Sequence, residues 1–331
     1  MHLLHDRLRN RSQAAAGGGF VARIAVTGAA GFIGAALCRE LARRGHAVIG
    51  VTRGSASPIA GVESCPVGDI GPTTDWSGRL DRVDVVVHLA MRAHRPGSSA
   101  DGEAEAEGAA VLARAAAAAG VGRFVQISSI RAMGSATPPR ASFRAGDPTL
   151  PDDPYGRAKL AIERALTAAA RKSGLGLVIL RPPLIHGPGV KGNLRNLMRL
   201  IASGLPLPFA AVDNRRSLIF VGNLADLIAT ACIHPDAEGL VLLARDAGDL
   251  STPELIRALA SGLGRPARLF DLPPAVFAAL SPLPMLGTAV KRLTASLQVD
   301  DSETRAALGW SPAVSVEAGL AATARTYDLR R

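Results

Sequence analysis

Tyr155 and Lys159 stand four residues apart in DDPYGRAKLAIERAL, which begins at Asp152 and reads as the opening turns of a helix. One helical turn places both side chains on the same face. A phenol with a pKa of about 10 is a poor base near neutrality, and a nearby ammonium favours its charged form. The choice of cation is informative, because the chain holds 4 lysines against 34 arginines and only 2 tyrosines. A compact ammonium acts as a point charge with rotatable donors, whereas a guanidinium would impose a planar fork. The bland alternative is a surface pair that decorates a helix.

A second chemical signal lies in TGAAGFIG, where Gly28, Gly31 and Gly34 separate an apolar run from an amphipathic one. Glycines here allow a tight turn, a close approach of backbone N–H groups to a pyrophosphate, and close helix–strand packing. The GxxGxxG spacing differs from the commoner GxGxxG, and the flanking strand and helix are what give it weight. The next strand ends at VTR, so Thr52 and Arg53 fall where an acidic residue would bind the ribose 2′-hydroxyl of NAD. Arginine can instead pair with a 2′-phosphate, so the expected cofactor is NADP or NAD, with NADP favoured. A solvated strand-end arginine is the alternative.

These residues need a scaffold. Short runs rich in valine and isoleucine recur at IAVTG, AVIGV, VDVVVHLA, RFVQISS and LVILRPP, each apolar without alternation, as strands buried on both faces must be. Between them lie helical stretches: one carries Phe32, Ile33, Leu37 and Leu41 on one side and closes with Arg43, Arg44 and Gly45, and another is VLARAAAAAG. Alternating strands and helices predict an α/β fold with a parallel, doubly wound sheet. After Pro182 the regularity weakens, although GLVLLA at Gly239 can return to the sheet. The expected division is a dinucleotide-binding domain over 23–183 plus about 216–247, and a smaller, discontinuous substrate lobe over about 184–215 plus 248–325. Residues 1–22 read as a disordered extension, with a misplaced start as one explanation.

Composition narrows the partners. The chain has 331 residues, 48% of them hydrophobic, and a net charge of +10. Such charge suits nucleic acid, an anionic surface or a phosphorylated small substrate. The arginines are dispersed, aromatics are only 4%, and no basic–aromatic interleaving appears, which disfavours nucleic acid. Cys38, Cys65 and Cys232 show neither paired spacing nor histidine companions, so no metal is expected and buried thiols in a reducing, cytoplasmic compartment are. AVFAALSPLPMLGTAV is the most apolar segment, but its prolines and length argue against a spanning helix; it reads as core or a partner-facing surface.

Taken in order, TGAAGFIG, GDI at Gly68, HLA at His88, ISSIRAMG at Ile127, YGRAK at Tyr155 and RPPLIHGPG at Arg181 resemble the extended short-chain dehydrogenase/reductases, and within them the NAD-dependent epimerase/dehydratase family of nucleotide-sugar enzymes. The resemblance runs from about Arg23 to Trp310. It implies a Rossmann-type sheet, Tyr155 as general acid/base, Lys159 as its helper, and Ser129 as hydrogen-bonding partner of the reacting oxygen. It further implies that Phe32 and Ile33 beside the glycines, Asp69 with Ile70 near the adenine, His88, Leu89 and Ala90 along the groove, and Pro182 line the cofactor. Asn193 and Arg216 fall where relatives contact the nucleotide diphosphate, with Lys191 and Arg292 as weaker candidates. A homodimer through paired helices is common in such relatives. One departure is EAEGAA: relatives usually carry an asparagine followed by glycine and threonine in this helix, where this chain has Glu105 and Ala109.

The same relatives divide by reaction. Dehydratases place an Asp-Glu pair after the serine; Ile130 and Arg131 stand there, so dehydration lacks its acid/base pair. Ketoreduction and epimerisation at C4 use the same three residues. SSIRAMG, RPPLIHGPGVKGN and NRRSLI resemble bacterial surface-polysaccharide enzymes that reduce 4-keto-6-deoxy-N-acetylhexosamines, and Arg53 suits a consumable NADPH. The expectation is therefore reduction of a UDP-linked 4-keto sugar. A 4-epimerase is the alternative, and a non-catalytic cofactor-binding sensor or scaffold the reading from another class.

Overall fold

Apolar runs without alternation form the interior strands of one sheet. The computed structural model describes residues 21–54, 59–91, 99–138, 141–273, 275–277 and 286–327. Residues 1–20 of the expected extension, and 278–285 of the apolar run that begins at Ala275, lie outside the described residues. The strands are β1 (Arg23–Thr27), β2 (Ala47–Thr52), β3 (Glu63–Pro66), β4 (Val85–His88), β5 (Arg123–Ile127), β6 (Gly176–Arg181), β7 (Leu184–His186), β8 (Leu218–Phe220) and β9 (Val241–Leu243). Seven of them form a parallel sheet in the order β3-β2-β1-β4-β5-β6-β9. The order reverses between β1 and β4, which is where such sheets open a crevice at their carboxyl ends. The strand β3, sequence ESCP, has no apolar pattern to betray it and sits at the sheet's edge.

The helices are α1 (Phe32–Arg43), α2 (Ser99–Ala118), α3 (Pro154–Ser173), α4 (Asn193–Ala202), α5 (Val221–Ile233), α6 (Thr252–Gly262), α7 (Leu286–Thr294), α8 (Ser302–Leu308) and α9 (Val316–Arg325). Leu37, Cys38 and Leu41 of α1 pack with Leu224, Leu227 and Ile228 of α5 on one face of the sheet. Ala109, Leu112 and Ala116 of α2 pack with Ile162 and Leu166 of α3 on the other. Among the described residues no helix is long and apolar enough to cross a membrane.

Local chemistry fixes these helices. Asp153 caps α3 by accepting from Gly156 N–H at 2.6 Å, Pro154 opens its first turn, Arg171 and Lys172 fill its last, and Gly174 ends it with φ +73°. Buried Arg123 donates Nη1 to the carbonyls of Ala231, Cys232 and His234 at 3.1, 3.2 and 2.7 Å, tying β5 to the C-terminal end of α5. Burial pushes the Cys38 and Cys232 thiols up to about 12, whereas Cys65, expected buried, is only half covered because β3 is an edge strand.

The remaining chain builds a second core. Leu194, Leu197 and Met198 of α4, Leu255, Ile256 and Leu259 of α6, and Val316 and Leu320 of α9 enclose it. Phe32, the first residue of α1, packs against this cluster, so the helix that opens the glycine loop also touches the second core. The short strands β7 and β8 pair in parallel between the two regions.

Candidate active site

The glycine loop joins β1 to α1. Gly28 adopts φ +68°, and a Cβ there would stand 3.2 Å from Ala90 N. A Cβ on Gly34 would collide with the Gly28 carbonyl oxygen, so the helix can lie this close only without one. Gly31 precedes α1 without any side-chain cap, which leaves the first-turn N–H groups of Phe32, Ile33 and Gly34 to an anion. Opposite them, Leu89 and Ala90 each donate a backbone N–H to Thr27 Oγ1 at 3.1 Å. Having accepted two bonds, Thr27 offers its one proton to His88 Nδ1 at 2.8 Å, made possible by the Thr27–His88 register of β1 and β4. Burial first, and then Lys159, push the His88 pKa down to about 3, so the ring is neutral. This cradle fits the pyrophosphate of a dinucleotide. Thr27, which orders its far wall, carries no sequence signal beyond its place in TGAAG.

Arg53 stands at the end of β2 as expected, highly exposed, and its guanidinium faces Asp69 at 4.0 Å. A 2′-phosphate there would meet a carboxylate as well as a cation. Ile70 is half-buried against the α2–α3 side of the sheet, and the carbonyl of buried Pro182 accepts from Ile130 N–H at 3.0 Å.

Ser129 follows the carboxyl end of β5, and its hydroxyl accepts from Arg131 N–H at 3.2 Å. Lys159 is buried, and its Nζ donates to the Ile127 carbonyl at 2.9 Å, which holds the ammonium at the same strand end with two donors left. Burial pushes Lys159 down to about 8, against the upward pull of Glu105 and Glu163. Tyr155 is 48% exposed as a residue, yet its hydroxyl is crowded by protein atoms: desolvation raises its pKa, while a hydrogen bond from Ser129 and the charge of Arg131 pull it back. A phenol, a hydroxyl and an ammonium thus meet where the sheet opens.

Gly156 explains how α3 comes so close. A Cβ on it would strike the Arg131 carbonyl oxygen in the 3-10 turn Ile130–Ala132. Arg131 itself pairs with the Asp153 carboxylate. Arg216 is drawn toward the same region: its Nη1 donates to the carbonyls of Arg292 and Ala295 at 2.7 and 2.9 Å. Burial first, then Arg131 and Arg292, push its pKa down to about 10. Three guanidinium groups therefore share one electrostatic neighbourhood beside Tyr155. Asn193 and Lys191 stand exposed at the start of α4, whose cap is Gly192 with φ +69°. Glu105 reaches both Tyr155 and Lys159 electrostatically, whereas Ala109 is fully buried in the α2–α3 core.

A doubly wound parallel sheet with a glycine loop at its switch point and a tyrosine, lysine and serine at the adjoining strand end defines a nicotinamide-dependent oxidoreductase-type site. The model of the NAD dependent epimerase/dehydratase family matches residues 24–241. The chain is 38% identical over 315 residues to a UDP-glucose 4-epimerase of Vibrio cholerae, covering 92% of this chain and 95% of that protein. It belongs to the NAD dependent epimerase/dehydratase family. The fold is shared with the UDP-glucose 4-epimerase of Thermus thermophilus solved with NAD, at a TM-score of 0.73, 24% identity, and coverage of 92% of this chain and 98% of that one. A UDP-N-acetylglucosamine 4-epimerase from Bacillus cereus matches at a TM-score of 0.72 and 20% identity, over 92% and 97%. The protein is an NAD-dependent enzyme of the nucleotide-sugar epimerase and reductase type.

Proposed function

We propose that the protein is a UDP-hexose 4-epimerase, which oxidises C4 of a nucleotide sugar and reduces it again from the other side. The observation that carries this is the meeting of Tyr155, Ser129 and Lys159 at the carboxyl end of β5, with Ile130 and Arg131 where a dehydratase would need carboxylates. The V. cholerae relative supports 4-epimerisation over the ketoreduction favoured by the sequence strings. The Arg53–Asp69 pair supports NAD over NADP.

Gly28, Gly31, Phe32, Ile33 and Gly34 would hold the pyrophosphate of NAD, with Leu89, Ala90 and Pro182 along the groove and Asp69 and Ile70 toward the adenine. When bound, NAD accepts the hydride from C4 and returns it. The Tyr155 phenolate takes the proton of the C4 hydroxyl as that hydride leaves, and Ser129 donates a hydrogen bond to the same oxygen. Lys159 keeps the phenol ionisable and offers its remaining donors to ribose hydroxyls. On the return, the 4-keto sugar presents its opposite face, and the Tyr155 phenol gives its proton back. Arg216 and Arg292, with Asn193 and Lys191 at the start of α4, hold the diphosphate of the nucleotide throughout.

Purified protein given UDP-glucose without added cofactor is expected to form UDP-galactose. Tyr155→Phe is expected to lower turnover by about 10²–10⁴-fold, the usual worth of one acid/base group. A second reading, reduction of a UDP-linked 4-keto sugar by NADPH, rests on the exposed cation of Arg53. Steady consumption of NADPH with such a ketosugar, and no interconversion of UDP-glucose, would establish it instead. Cofactor binding with turnover of neither would overturn both.

A further inference from the structure

The two positions after Ser129, where a dehydratase would carry its carboxylate pair, hold Ile130 and a cation, Arg131. Arg131 Nη2 pairs with Asp153 Oδ2, while Oδ1 of the same carboxylate accepts from Gly156 N–H at 2.6 Å. One carboxylate therefore fixes both the guanidinium and the helix start that carries Tyr155. The Arg131 N–H holds the Ser129 hydroxyl at 3.2 Å, so its backbone and side chain touch both sides of the reacting centre. Its side chain is three-quarters covered, and its Nε is buried with no hydrogen-bond partner. An unpartnered buried donor costs free energy that a lysine or glutamine clamp would avoid.

The charges around the phenol do not cancel this cation. Lys159 stands one turn along the same helix, held on the Ile127 carbonyl, and Glu105 opposes from α2. Asp153 pairs with Arg131 and Asp152 acts on it electrostatically, while neither is among the charges that act on Tyr155. Arg216 and Arg292 stand behind it and reinforce the positive field.

We propose that Arg131 is a positioning residue of the acid/base centre: anchored on Asp153 at the start of α3 and packed by its carbonyl against Gly156, it holds a fixed positive charge beside the Tyr155 phenol. This rests on Tyr155 being the acid/base group, so the test reads the phenol directly. Tyr155 and Tyr327 are the chain's 2 tyrosines, and in a Tyr327→Phe background Tyr155 is the single phenol, whose ionisation is followed by ultraviolet difference absorbance with NAD bound. Arg131→Gln, which keeps a donor for Asp153 but no charge, is expected to move the midpoint to higher pH, and Arg131→Lys to leave it near the parent's. Asp153→Asn retains the helix cap, frees the guanidinium of its counter-ion, and is expected to move the midpoint to lower pH. In a turnover assay, Arg131→Gln is expected to move the acid limb of kcat to higher pH and leave the alkaline limb in place, narrowing the active window. Unchanged midpoints in both Arg131→Gln and Asp153→Asn would overturn the proposal, leaving Arg131 a structural clamp. If no nucleotide sugar turns over at all, the proposed function falls while the titration still decides the role of Arg131.

Discussion

Lys159 sits between two carboxylates that reach it from different parts of the chain, Glu163 one turn along α3 and Glu105 from α2. Burial has already brought its pKa to about 8, so the ammonium held at the end of β5 is lost as pH rises through that value. Turnover should therefore fall on the alkaline side with a limb near about 8. Glu105→Gln removes a charge that raises Lys159, so the alkaline limb is expected to move to lower pH, whereas the acid limb set by Tyr155 moves lower as well because Glu105 also raises the phenol. A pH–rate profile of kcat that keeps its alkaline limb in place would refute this reading of Glu105. Tyr155 and Lys159 were legible from spacing alone, because an i,i+4 pair needs only its own helix. Arg131 and Glu105 were not, because what each does depends on a partner brought by the fold: Arg131 read as a missing carboxylate, and Glu105 as a missing asparagine.

At the scale of elements, the placing of α3 does most to make the site. The helix comes within reach of Ser129 because Gly156 leaves room for the Arg131 carbonyl, and its far side is anchored by Glu163, which takes a bidentate pair from Arg181 of β6 at 2.6 and 3.0 Å. Both ends of that pair are buried. Gly156→Ala is expected to push α3 off the 3-10 turn, costing about 1–3 kcal/mol of stability as overpacking does, and lowering kcat far more than its effect on NAD affinity. Arg181→Leu leaves the Glu163 carboxylate buried without its counter-ion and is expected to cost about 3–5 kcal/mol. Chemical denaturation reads both, and a stability change below about 1 kcal/mol in either would mean that α3 is held elsewhere. The strands of the sheet centre were readable as unbroken apolar runs, since burial on both faces forces that pattern. Strand β3 was not, because an edge strand of sequence ESCP is satisfied by backbone pairing to β2 and needs no apolar face.

Across the whole molecule, the two cores are joined by a polar knot that no local pattern announces. His186 at the end of β7 and Asp246 after β9 are fully buried, with Nε2 and Oδ2 2.9 Å apart. Asp246 also accepts from Phe220 N–H at 2.9 Å and from Asn223 Nδ2 at 2.7 Å, while the other ring nitrogen of His186 meets Thr323 of α9 at 3.2 Å. Gly319 of α9 has no Cβ where one would stand 2.8 Å from the His186 ring. Four stretches distant in sequence thus converge on one carboxylate and one imidazole. Only Ser217 separates Arg216 from the start of β8, which pairs with β7 beside this knot, so its integrity bears on where the guanidinium lies. Asp246→Leu strands three buried hydrogen-bonding groups and is expected to lower stability by about 3–5 kcal/mol. The glycine loop follows β1, on the opposite side of the sheet centre from β9, and none of its own hydrogen bonds involves these residues. The variant, assayed below its melting temperature, is expected to keep NAD affinity within about twofold while the KM for the nucleotide sugar rises about tenfold or more, the effect of a displaced diphosphate contact. Equal losses for both ligands would show that the knot supports the molecule as one body rather than the sugar side of the cleft.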